Sequence, residues 1–75
     1  MTLEDLCPGE SGRMEKVTAR GVLAQRLMDM GLYPGVDIRV IRNAPLEDPM
    51  EVEADGSFVN IRREEARFVE VCAPR

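Results

Sequence analysis

Glycine and proline recur along this chain as punctuation, and that spacing leaves only short segments to become helix or strand. The breaks fall at Cys7-Pro8-Gly9, Gly31, Pro34-Gly35, the stretch from Pro45 to Pro49, and Asp55-Gly56. Between them, apolar spacing decides the element type. Val36, Ile38 and Val40 alternate with Asp37 and Arg39, the period of a strand with one buried face. Met50, Val52 and Ala54 alternate with Glu51 and Glu53 in the same way, and Asp55-Gly56 is a two-residue hairpin signal leading into Ser57 to Ile61. In that returning strand Ser57, Val59 and Ile61 are expected to face inward, with Phe58 and Asn60 on the other side.

A shorter, partly alternating run from Gly12 to Val17 predicts a first strand, preceded by Leu3, Leu6 and a turn at Cys7-Pro8-Gly9. From Gly21 to Met30 the period changes: Leu23, Leu27 and Met30 share one helical face. Gly31 ends the helix, because glycine accepts the left-handed conformation of a helix C-cap, and Leu32 can fold back on the last turn. Pro34-Gly35 is a turn, Arg62 to Ala66 reads as one helical turn, and Phe68 to Val71 as a last strand. About five short strands with one helix inserted after the first suit a small antiparallel barrel, mainly β, spanning residues 1–75 as a single domain.

A chain of 75 residues buries only about 60% of its unfolded surface, so the core must be small and closely packed. Apolar residues make up 44% and charged ones 32%, the balance of an ordinary globular domain and not of a disordered tail. No apolar run approaches the roughly 20 residues that span a bilayer, and Met1 to Glu10 carries Glu4 and Asp5 with no apolar stretch. The chain is therefore expected in the cytoplasm and not embedded in a membrane. Fourteen acidic against ten basic side chains give a net charge of −4, which repels phosphate backbones. Tyr33, Phe58 and Phe68 are too few aromatics for a base-stacking platform, so no nucleic-acid partner is expected. Arg39, Arg42, Arg62, Arg63 and Arg67 either form one positive face or sit in a salt-bridged surface.

The chain contains no histidine and no glycine-rich phosphate loop, and neither cysteine has a local base, so catalysis is not expected. Glu51 and Glu53 share a strand face as hydrolytic carboxylates do, but alternation on a wet strand face accounts for them. Cys7 and Cys72 lack a Cys-x-x-Cys spacing. Two free thiols are the expectation in a reducing compartment, with a bridge between the chain ends or a thiolate metal site as alternatives.

Between the second and third strands lies Asn43-Ala44-Pro45-Leu46-Glu47-Asp48-Pro49, too long for a tight hairpin and stiffened by two prolines. Three motifs stand in order: Arg26-Leu27 with Gly31-Leu32 and Pro34-Gly35; Ala44-Pro45 with Asp48-Pro49; and Arg62-Arg63-Glu64-Glu65-Ala66 followed by Val69-Glu70-Val71. Together they closely resemble the ferrous iron transport protein A family (FeoA), from Leu3 to Val71, with Glu47 where glycine is usual and Asn60 in a segment usually more apolar. The resemblance implies an SH3-like barrel with an inserted helix. It also implies a cytosolic accessory of the ferrous iron permease FeoB, whose cytosolic part carries a GTP-hydrolysing domain. The same module occurs fused behind metal-dependent repressors, so a metal-regulator-type role is an alternative.

On this reading the module binds the cytosolic region of a FeoB-like permease and modulates it, through rigid elements that dock at low entropic cost. The partner-binding candidates are Arg26, Met28 and Asp29 on the helix, Pro45, Leu46, Glu47, Asp48 and Pro49 on the loop, and Arg62 and Arg63. The plainer reading has the prolines only shaping the loop and Arg26 pairing with Asp29 one turn on. No cofactor is required. Direct handling of a transition metal, iron or zinc, is the competing reading, with Cys7, Asp48 and Cys72 as candidate ligands and Glu4 and Asp5 beside them. An exposed edge strand or Phe58 leaves room for weak homo-oligomerisation.

Overall fold

Residues 1–43 and 48–72 are described in the computed structural model of the chain. Strand β1 (Ser11–Val17) precedes helix α1 (Gly21–Asp29), followed by β2 (Asp37–Asn43), β3 (Met50–Ala54), β4 (Ser57–Ile61), a four-residue helix α2 (Arg63–Ala66) and β5 (Val69–Cys72). Every strand pair is antiparallel, in the order β4-β3-β2-β1-β5. The mainly β architecture with a helix after the first strand is the one expected. The barrel is not closed: β4 and β5 are not paired, and α2 is the connection between them.

The sheet coils because β1 changes partner along its length. Ser11 to Arg13 pair with β2, while Arg13 to Val17 pair with β5. Register shifts between Met14 and Lys16, and between Val40 and Arg42 of β2, sharpen the local twist, as an extra residue on one strand does. At Gly12 the backbone of β5 presses closest: a Cβ built there would lie 2.8 Å from the Cys72 carbonyl oxygen. A side chain at this position would have to push a strand aside.

Inside the coil, alternate residues make the core. Met50, Val52 and Ala54 of β3 are buried, facing the same interior as Ile38 and Val40 of β2, Val69 and Val71 of β5 and Met14 of β1. Glu51 and Glu53 point the other way, opposite Arg42 and Arg39 across the strand pair, and Arg42 Nε meets Glu51 Oε1 at 3.1 Å. The two acids are thus part of a cross-strand charge ladder. On β4, Ile61 is buried and Val59 half-buried, but Ser57 is exposed, against its expected inward position. It adjoins the exposed Asp55-Gly56 turn on the outermost strand, while its partner Ala54 on β3 is buried. Phe58 is 62% exposed.

Helix α1 ends as glycine at its C-terminus predicts. The Gly31 N–H donates to the Met28 carbonyl at 2.9 Å and the Leu32 N–H to the Leu27 carbonyl at 3.3 Å, a Schellman pair. Gly31 has φ +90°, and both Leu27 and Leu32 are fully buried. At the start of the chain, the residues expected only to precede a turn form a 3₁₀ turn, Leu3–Asp5, with Leu3 and Leu6 in the core. The Asp5 carboxylate accepts the Thr2 N–H at 2.9 Å. Met1 and Thr2 run along β5: the Val71 N–H donates to the Met1 carbonyl at 2.9 Å, and Thr2 bridges to Glu70. No helix among the described residues is long and apolar enough to cross a membrane.

Gly12→Ala is expected to lower unfolding stability by about 1–3 kcal/mol, the usual cost of forcing an extra methyl into a packed site. Urea denaturation followed by circular dichroism measures it, and an unchanged midpoint would show that β5 yields freely.

Candidate functional site

Helix α2 begins with backbone N–H groups that its own turn cannot satisfy, and its N-cap residue, Arg62, has no acceptor to offer them. Two carboxylates supply what is missing. Glu65, inside the same turn, reaches back so that Oε1 accepts the Arg62 N–H at 3.2 Å. Asp48, fifteen residues before Arg63, accepts the Arg63 N–H through Oδ1 at 3.0 Å. The end of the β2–β3 loop is thereby fastened to α2.

Glu65 does a second thing with its other oxygen. Oε2 lies 3.3 Å from Nη1 of Arg26 on α1, with the Glu65 side chain 8% exposed and that of Arg26 60% exposed. Arg26 therefore pairs with Glu65, and not with Asp29 as spacing along the helix suggested. Asp29 Oδ1 instead accepts from Gln25 Nε2 at 2.9 Å, one helical turn away. The Arg63 guanidinium donates to the Glu4 carbonyl at 3.4 Å, and Arg67 Nη2 stands 3.7 Å from Glu4 Oε2. One turn of helix thus ties together α1, the β2–β3 loop and the N-terminal turn.

Five of the partner-binding candidates converge here: Arg26, Asp48, Pro49, Arg62 and Arg63. Asp48, Pro49 and Arg62 line a cleft of about 240 Å³. Met28 and Asp29 lie on the exposed side of α1 near its C-terminal end, Met28 being 38% exposed. Pro45, Leu46 and Glu47 lie outside the described residues. Glu65 was not among the candidates. A glutamate three residues after the N-cap is half of a capping box, but an arginine at the cap hides the motif, and the partner on α1 is 39 positions away in sequence (65 minus 26).

The metal candidates do not come together. Cys7 is exposed and Cys72 half-buried, both as free thiols, and Cys72 Sγ lies 3.6 Å from the Arg13 carbonyl oxygen. Asp48 is committed to its cap, Glu4 faces Arg67, and Asp5 holds Thr2. Among the described residues no three of His, Cys, Asp and Glu gather as a metal would require, so this donor set does not fit a resident transition metal. The arginines are likewise distributed: Arg42 meets Glu51, Arg67 meets Glu4, and Arg39 stands opposite Glu53.

These contacts rank three substitutions. Glu65→Ala, which strips a buried carboxylate from an N–H and a guanidinium, is expected to cost about 2 kcal/mol of unfolding free energy. Asp48→Ala is expected to cost about 1 kcal/mol, as loss of a cap does. Arg26→Ala is expected to cost under about 1 kcal/mol, because its charge is largely screened by water. Thermal and urea unfolding of the three variants checks the order, and a loss at Arg26 equal to that at Glu65 would contradict it.

The geometry has counterparts. The FeoA domain family matches residues 1–72. A fusion of Fe(2+) transport protein A with Fe(2+) transporter FeoB from Porphyromonas gingivalis is 37% identical over 71 residues, which is 95% of this chain. The chain spans only 8% of that relative's length. The solution structure of the FeoA protein from Chlorobium tepidum is 39% identical with a TM-score of 0.87, covering 95% of this chain and 68% of that one. The crystal structure of Stenotrophomonas maltophilia FeoA, a procaryotic SH3 domain protein complexed with zinc, is 29% identical with a TM-score of 0.83, covering 96% and 89%. With the match running through all five strands and both helices, the chain belongs to the FeoA domain family and has its SH3-like fold.

Proposed function

We propose that this chain is a small cytoplasmic accessory of ferrous iron uptake that docks on the cytosolic region of a FeoB-like permease and modulates it, by binding and without catalysis. The observation that carries this reading is the Porphyromonas gingivalis protein in which the same domain and a Fe(2+) transporter are one polypeptide. Covalent linkage raises the effective concentration of one part at the other, which serves parts that work together.

The surface around α2 supports docking. Asp48 and Glu65 hold the loop end and the two helices by hydrogen bonds and an ion pair, so little conformational freedom remains to be lost on binding. Arg62 offers an exposed guanidinium beside the cleft, and Met28 an adaptable apolar side chain on α1. On this reading the interaction needs no metal held by this chain, and among the described residues no three of His, Cys, Asp and Glu gather in one place.

Isothermal calorimetry against the purified cytosolic region of a FeoB-like permease tests the reading. The unmodified chain is expected to bind, and Met28→Asp and Asp48→Ala to weaken binding about tenfold or more, equivalent to about 1.4 kcal/mol. Treatment with a chelator is expected to leave the affinity unchanged. Absence of binding by the unmodified chain overturns the proposal, and equal binding by both variants moves the interface elsewhere.

A further inference from the structure

The two outer edges of the sheet are treated differently. Beyond β5 the chain start lies alongside, through the Thr2–Glu70 bridge and the bond from the Val71 N–H to the Met1 carbonyl. Beyond β4, among the described residues, no backbone group arrives.

The turn leading into β4 says which groups are left open. Asp55 and Gly56 have φ +51° and +83°, a two-residue turn of type I′. In such a hairpin the flanking residues, Ala54 and Ser57, form a hydrogen-bonded pair, and the alternation makes Val52/Val59 and Met50/Ile61 bonded pairs as well. Phe58 and Asn60, opposite Glu53 and Glu51, occupy the non-bonded positions, so their N–H and C=O groups point away from β3. The devices that protect sheet edges are missing here. Ser57-Phe58-Val59-Asn60-Ile61 has no charge and no proline, its register with β3 runs unbroken, and Phe58 is 62% exposed.

We propose that β4 pairs antiparallel with β4 of a second copy of this chain, forming a two-fold dimer whose sheet continues across both copies. The open groups select the register. With the two-fold axis at Val59, Phe58 of each copy stands opposite Asn60 of the other, and every outward N–H and C=O of these two residues finds a partner. An axis at Phe58 would set Asn60 against Gly56, inside the turn, and lose those bonds. Charge selects the direction. The strand runs from exposed Asp55 to exposed Arg62, whose side chain makes no ion pair among the described residues, so antiparallel self-pairing brings the acidic end of one copy beside the basic end of the other, twice. The two Phe58 rings then lie diagonally across the axis, within reach of each other on the outer face.

Sedimentation equilibrium of the isolated chain up to about 1 mM, an affinity range typical of weak pairs, is the test. The weight-average mass is expected to rise toward twice the chain mass, and added salt to lower it. Asn60→Pro removes an N–H that β3 does not use, and Phe58→Lys charges the edge; each is expected to remain monomeric with a folded circular dichroism spectrum. Independently of any variant, an NMR dilution series is expected to shift the Phe58 and Asn60 amides and to slow their hydrogen exchange at high concentration. A monomer throughout the range overturns the proposal, as do self-association unaffected by Asn60→Pro and dilution shifts that map to another face. Shifts at Phe58 and Asn60 that arise only on adding the permease's cytosolic region overturn it too, and assign the edge to that partner.

Discussion

The close passage of β5 over Gly12 is the contact on which the coil of the sheet depends. β1 gives its first residues to β2 and its later ones to β5, and where the two pairings meet the Cys72 carbonyl approaches the β1 backbone so closely that a Cβ at Gly12 would lie 2.8 Å from it. That approach curves five short strands around one interior, so that Met14, Ile38, Val40, Val52, Val69 and Val71 are all 1% exposed or less. In a chain of 75 residues there is no surplus of apolar side chains with which to build a dry core less economically.

Curvature without closure leaves a seam, and α2 occupies it. Four residues make no stable helix in isolation, because nucleation costs more than one turn of hydrogen bonds returns. Here the turn is held from outside, by Asp48 at the Arg63 N–H and by the packing of Ala66 into the core. Glu65 is a buried carboxylate, and its desolvation is offset by the Arg62 N–H and the Arg26 guanidinium together. The same contacts that stabilise the seam gather the exposed groups of two helices and a loop end into one surface of fixed shape. The few charges that hold the seam, those of Asp48, Glu65 and Arg26, also fix the shape of that surface.

The seam also leaves two sheet edges, which a closed barrel would have removed. The chain start shields one of them. The other has an uncharged strand between an acidic and a basic residue, an arrangement complementary to itself when turned end for end.

Much of the fold was legible in the sequence because its determinants are local. Left-handed glycine at residue 31, the Asp55-Gly56 turn and the strict alternation of Val36 to Val40 and Met50 to Ala54 each act over a few residues, and each reads the same in the chain as in space. The motif resemblance carried the rest of the fold class and the candidate residues at the α2 end. The sequence did not disclose Glu65 as the group joining the helices, the pairing of Arg26 away from Asp29, the capping of α2 by Asp48, or the unpaired seam. Those contacts join residues far apart in the chain. Their partners meet only once the sheet has coiled, and the features that accompany the coil, the register shifts in β1 and β2 and the close approach at Gly12, join strands that spacing and composition do not pair.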